Sequence, residues 1–135
     1  MHHCIHTVGP KLGHGKYTDN EAVWKLAGAY RSVLSQFVRF AESKAAAGPA
    51  PTGTPVRLRL LPISGGIFAG AFRERVPRLT REALDAGFAQ LPEATQQRLL
   101  SRERTLELCI FAEAEFEGFV RVGFHPDAGY VGANR

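Results

Sequence analysis

The residues best placed to do chemistry in this chain are its smallest ones. The segment from Val56 to Gly70 reads VRLRLLPISGGIFAG. Its first part, Val56 to Ile63, is apolar at Val56, Leu58, Leu60, Leu61 and Ile63, and Pro55 and the glycines bound it as a strand buried on at least one face. At Ser64, Gly65 and Gly66 the side chains shrink to almost nothing. Ile67 and Phe68 follow, and Ala69 and Gly70 keep the backbone bare again. Such a run lets successive amide N–H groups converge on an anion, because no Cβ blocks the approach and glycine takes the positive φ values that a nest requires. The same residues also serve as a tight exit from a buried strand. Spacing alone favours that plainer use, since the run matches neither the GxxxxGK[ST] loop nor GxGxxG.

Other reactive side chains are sparse. His2, His3 and His6 crowd the start of the chain, where strand alternation sets His2 and His6 on one face and His3 on the other. No acid or thiol completes a set with metal-ligand spacing, so no metal and no cofactor is expected. His6 is the one base near the start of the chain, and inside a strand it reads as a core or edge histidine rather than a proton acceptor. Cys4 and Cys109 lie in apolar strand contexts outside any CxxC pair, which reads as two buried free thiols in a reducing compartment. Glu113, Glu115 and Glu117 have no partner base or nucleophile placed by the sequence, and they suit the N-terminus of a helix.

A chain of 135 residues supports one domain with one core. The composition is that of a globular protein, with 44% hydrophobic and 22% charged residues and a net charge of +4, which favours anionic ligands without naming nucleic acid. The basic clusters from Arg73 to Arg81 and from Arg98 to Arg104 are mixed with acids and read as solvated faces. Nucleic acid is therefore not an expected partner. The chain has no apolar run long enough for a membrane span and no signal-peptide pattern, so an intracellular location, whether cytoplasmic, nuclear or organellar, is expected.

The positioning elements follow from periodicity. His2 to Val8 alternates as a short strand closed by Gly9 and Pro10. Thr18 or Asp19 caps a helix over about residues 20–42, whose Val23, Leu26, Ala27, Tyr30, Val33, Leu34, Phe37 and Val38 form one apolar face, with Trp24, Tyr30 and Phe37 read as packing residues. Residues 44–54, KAAAGPAPTGT, read as a mobile surface loop. After the glycine turn, Thr80 is an N-cap for a helix ending at Leu91, and Pro92 heads a second helical stretch to Leu100. Thr105 to Ala112 is a strand with Leu106, Leu108 and Ile110 on one face. Glu113 to Val122 is a closing helix carrying Phe116, Phe119 and Val120, and residues 125–135 form a tail. Strands alternating with helices make this an α/β chain with at least partly parallel strands.

Three segments then line up with a known family. Ile5 to Pro10 (IHTVGP), Pro62 to Phe68 (PISGGIF) and Glu107 to Phe111 (ELCIF) resemble, in the same order, signatures of macro domains, the ADP-ribose-binding, Appr-1″-p processing family. The resemblance implies a three-layer α/β/α domain over residues 1–124, with a truncated mixed sheet and helices on both faces. It implies that Ser64, Gly65, Gly66, Ile67, Phe68, Ala69 and Gly70 wrap the diphosphate of ADP-ribose, with N–H groups of Gly65, Gly66 and Ile67 as donors. Phe68 would flank the distal ribose and Phe111 would lie beside the adenine. One departure is local: the family usually has glycine directly after the loop aromatic, whereas this chain has Ala69, which would crowd the phosphate or shift the turn.

The resemblance covers roughly the C-terminal two-thirds of a macro domain. The family's adenine-reading aspartate, its asparagine beside the distal ribose and its first Gly-rich loop belong to a segment that would precede Met1. Without that segment the first strand has an open edge, which invites self-association or a partner chain. Three functions follow as expectations: a module binding ADP-ribose or ADP-ribosylated protein; a hydrolase acting on ADP-ribosylated protein or O-acetyl-ADP-ribose if the missing sequence completes it; and a scaffold subunit with a vestigial pocket.

Overall fold

The computed structural model describes residues 3–46, 56–101, 104–110 and 113–125. Its elements are α1 (Asp19–Ala46), β1 (Val56–Leu60), α2 (Val76–Ala89), α3 (Glu93–Leu99), β2 (Arg104–Leu108) and α4 (Glu113–Arg121), with short 3-10 segments at Leu12–His14 and Ile67–Arg75. β1 and β2 form a two-stranded parallel sheet in the register Val56–Arg104 to Leu60–Leu108. The chain is therefore mixed helix and strand, of coarse α/β class, and the two strands expected to be adjacent and parallel are so.

α1 begins with a reciprocal cap. The Glu21 N–H donates to Thr18 Oγ1 at 3.2 Å, and the Glu21 carboxylate accepts from the Thr18 N–H at 3.5 Å, satisfying donors that the first helical turn leaves over. From there Ala22, Leu26, Tyr30, Val33, Leu34 and Phe37 recur at helical spacing and are buried against Leu79, Ala83 and Leu84 of α2 and Leu58 and Leu60 of β1. The helix backbones approach closely at Gly87, where a Cβ would stand 2.8 Å from the Ala27 carbonyl oxygen. Ala69, Val76, Ile110 and Phe119 make a smaller second cluster that seats α4 beside the end of β2.

One buried polar contact ties the core to the glycine turn. Tyr30, wholly buried, accepts a hydrogen bond at 2.9 Å from the Ile63 N–H, directly before Ser64. Burial pushes the Tyr30 phenol above its ordinary range, against the opposing pull of the Ile63 N–H and the Thr80 hydroxyl. Tyr30→Phe leaves the Ile63 N–H buried without its acceptor, and urea unfolding should show a loss of about 1–3 kcal/mol. A loss below about 0.3 kcal/mol would mean that water reaches this amide and that Tyr30 does not anchor the turn.

Several expectations are corrected. Residues 3–8 form no strand: Cys4, His6 and Thr7 are exposed, Val8 is 84% exposed, and only Ile5 packs against the core. An alternating pattern becomes a strand only when a neighbour takes its backbone groups, and no described strand pairs with this segment. The same cause leaves the Cys4 thiol exposed rather than buried, with Cys109 partly buried and both free. Trp24 is 75% exposed because it lies two residues from both Ala22 and Leu26, on the far side of α1. Thr80 is not a cap but a fully buried residue inside α2, which starts at Val76 with a proline in its first turn, a placement proline favours. α1 runs through Ala46, so the expected 44–54 loop loses its first three residues to the helix, and its remainder lies outside the described residues. Val120 of α4 is 38% exposed, unlike its neighbour Phe119. Most of the expected tail, residues 126–135, also lies outside the described residues.

Candidate functional site

The parallel strands end side by side. β1 exits into Leu61, Pro62 and the glycine turn, and β2 exits into Cys109 and Ile110, with the Cys109 N–H donating to the Leu60 carbonyl at 2.7 Å. Between these exits lies a cleft of about 290 Å³, lined by Gly65, Gly66, Arg73, Cys109, Glu115 and Phe119 together with apolar side chains of β1's exit and α2's first turn. Crevices outside the carboxyl ends of parallel strands are the usual ligand sites of open α/β sheets. This volume sits at the lower edge of the range for ligand pockets, about 300–1,000 Å³, so it has room for a small group only.

The turn itself is built differently from the simple glycine nest. Ser64, not a glycine, takes the left-handed conformation, at φ +58°. Its hydroxyl donates to the Pro10 carbonyl at 2.6 Å, which brings the Ile5–Pro10 and Pro62–Phe68 motifs together. Gly65 closes the turn by donating to the Pro62 carbonyl at 3.1 Å, and its lack of a side chain is a matter of space, since a Cβ would stand 3.0 Å from the Pro62 carbonyl oxygen. Gly66 then caps the 3-10 segment Ile67–Arg75 with no side-chain partner, and its carbonyl accepts the Ala69 N–H at 3.0 Å. Among the described residues the N–H groups of Gly66, Ile67 and Phe68 have no acceptor. These are three successive free donors at the start of a short 3-10 turn that ends at the non-helical Gly70.

The sequence-derived site residues are thus divided. Gly65 and Gly66 line the cleft. The Ser64 side chain is engaged with Pro10, and the Gly65 N–H is already spent within the turn. The Ala69 side chain is wholly buried in the small core cluster beside Phe119, so it crowds no ligand. Phe68 lies outside the cleft lining, and the Lys11 ammonium sits 5.5 Å from its ring centroid. Gly70 takes φ +54° at a kink of the 3-10 segment and abuts Gly13. The Ile67 N–H is one of the three donors without an acceptor among the described residues. Phe111 lies outside the described residues. Arg73 joins the site without a signal of its own: in sequence it is one of several arginines in a basic stretch, and it lines the cleft with Gly65 and Gly66 across the kink at Gly70.

Cys109 faces this cleft, yet burial pushes its thiol above the ordinary range, with Arg59 opposing and Glu107 reinforcing the shift. A thiol held protonated is a poor nucleophile. His6 is exposed rather than held in a strand, and it lines a different cavity, beside β1. His3 and Cys4 line that same cavity, but among the described residues no three histidine, cysteine or carboxylate side chains converge for a metal. No helix among them is long and apolar enough to cross a membrane. No family model, no curated protein and no solved structure matches the chain.

Proposed function

We propose that the protein is a binding module for ADP-ribose or a related nucleoside diphosphate, with the diphosphate held at the Gly65–Phe68 turn. The observation that carries this reading is a cleft at the ends of two parallel strands lined by both Gly66, the first of three successive backbone donors without an acceptor among the described residues, and Arg73. Backbone N–H groups fix the orientation of phosphate oxygens, and a guanidinium offers them a second, bidentate partner. The resemblance of the three motifs to macro domains supports the same ligand, and the three-layer arrangement of that family belongs to this proposal. The small cleft has no room for the adenine, which the resemblance assigns to Phe111, outside the described residues.

The reading is one of binding without turnover. Hydrolysis of an ADP-ribosyl linkage needs a group that activates water, and among the described residues the acid–base groups lining the cleft, besides Arg73, are a thiol whose burial disfavours its thiolate and one carboxylate, Glu115, of a sign that repels phosphate. Differential scanning fluorimetry tests the proposal. ADP-ribose at about 100 times its Kd stabilises the folded state by about 2.7 kcal/mol, a rise in Tm of several degrees for a domain of this size. Adenosine, which lacks the diphosphate, should give less than a third of that shift at equal concentration. No shift with millimolar ADP-ribose would favour a scaffold with a vestigial pocket.

A further inference from the structure

Among the described residues β1 is paired on one side only. The Cys109 N–H to Leu60 carbonyl bond fixes which backbone groups face β2, and strand alternation then turns the N–H and C=O groups of Arg57, Arg59 and Leu61 to the opposite edge, where no described strand meets them. Along that edge runs a cavity of about 590 Å³, with the His3–Thr7 segment as its far wall and Val33 and Phe37 of α1 at its floor. An edge of unpaired donors and acceptors over an apolar floor is a template for an added strand.

We infer that this groove receives an extended segment of a partner protein, about as long as the five-residue β1, that alternates apolar and acidic side chains. The apolar residues continue the buried row of Leu58 and Leu60. The acids fall beside Arg57 and Arg59 on the outer row, and the charge balance there selects them. The two guanidiniums share one carboxylate, Glu107 of β2, at 3.1 Å each. Lys44 adds a third cation to the cavity wall, and no aspartate or glutamate is among its described lining residues. Glu107 shows on the paired side what the free side lacks. A second copy of β1 fits poorly, because it would set arginine rows against each other, and like charges across strands destabilise. This surface meets the strand-end cleft only at Leu61 and Pro62, so it stands or falls independently of nucleotide binding.

The test uses a capped, fluorescein-labelled peptide of alternating valine and glutamate, read by anisotropy and by hydrogen exchange of the protein. Two cross-strand ion pairs replaced by two repulsions should make the glutamate peptide bind about tenfold more tightly than its lysine counterpart. N-methylation of the peptide amides should abolish binding, and bound peptide should protect the Arg57, Arg59 and Leu61 amides. Arg59→Gln, an exposed change that spares the core, should weaken the glutamate peptide while leaving Tm unchanged. Equal binding of both peptides, indifference to N-methylation, or no binding would overturn the inference. So would concentration-dependent dimerisation in sedimentation, or edge amides already protected without peptide, since a second copy or the chain's own segments would then fill the groove.

Discussion

Gly70→Ala should destabilise the protein by about 2–5 kcal/mol, more than any other single methyl addition in the described chain. Two independent costs add. Gly70 sits at φ +54°, in the left-handed region, where an L side chain costs about 1–2 kcal/mol. The new Cβ would also run into the Gly13 Cα, with the Gly13 nitrogen 3.2 Å away. Both obstacles are backbone, so neither can swing aside, and overpacking of this kind costs about 1–3 kcal/mol. What is lost is the contact that presses the Ile67–Arg75 segment onto Leu12–His14, whose Leu12 is wholly buried. Urea unfolding measures the effect, and Gly28→Ala is its control: that glycine lies within α1, and a Cβ added there would meet nothing within 4 Å. The control should gain up to about 1 kcal/mol from helix propensity. If Gly70→Ala matched wild type, the two 3-10 segments would not touch in solution, and the route that brings Arg73 back to the turn would be wrong.

The glycine run shows how far residue type alone can be read. A bare backbone at residues 64–70 is legible, as is the strand before it, because these depend on local composition and on a run that the core must bury; the partner strand, expected from Thr105 to Ala112, is β2 at Arg104–Leu108, where Leu106 is exposed rather than on a buried face. The work assigned to each small residue is not legible. Positive φ goes to Ser64 and Gly70, close packing to Gly65 and Gly70, and the open position to Gly66, because these roles are set by Pro62, Pro10 and Gly13 across the fold rather than by neighbours in the chain. The same holds for α2. Thr80 resembles a cap in isolation, but Pro77 and the preceding 3-10 segment start the helix earlier and carry Thr80 into the core. The first segment fails as a strand for a third reason: alternation specifies a face, whereas pairing needs a neighbour, and beside residues 3–8 there is a cavity instead.

Gly66→Asp should separate stability from binding. Gly66 has φ −99°, outside the left-handed region that favours glycine, and a Cβ there meets nothing within 4 Å, so close packing does not require its smallness. It stands before the 3-10 segment at φ −99° and ψ −126°, not the extended backbone of a capping aspartate, so the added carboxylate has space but no preset capping geometry. The unliganded variant should therefore stay folded, with a loss of no more than about 3 kcal/mol. The free N–H groups of this turn are the donors assigned to the diphosphate. Losing one or two charge-assisted hydrogen bonds, worth about 1.5–3 kcal/mol each, and adding a negative charge beside the phosphates should weaken ADP-ribose by at least about 100-fold. Arg73→Gln, which removes a cation but leaves the turn alone, should weaken it by about tenfold, with the loss shrinking at high salt. Calorimetric titration reads both variants against adenosine, whose weak binding neither change should alter. Full ADP-ribose affinity in Gly66→Asp, with its Tm intact, would place the ligand away from the strand ends and remove the turn from the site.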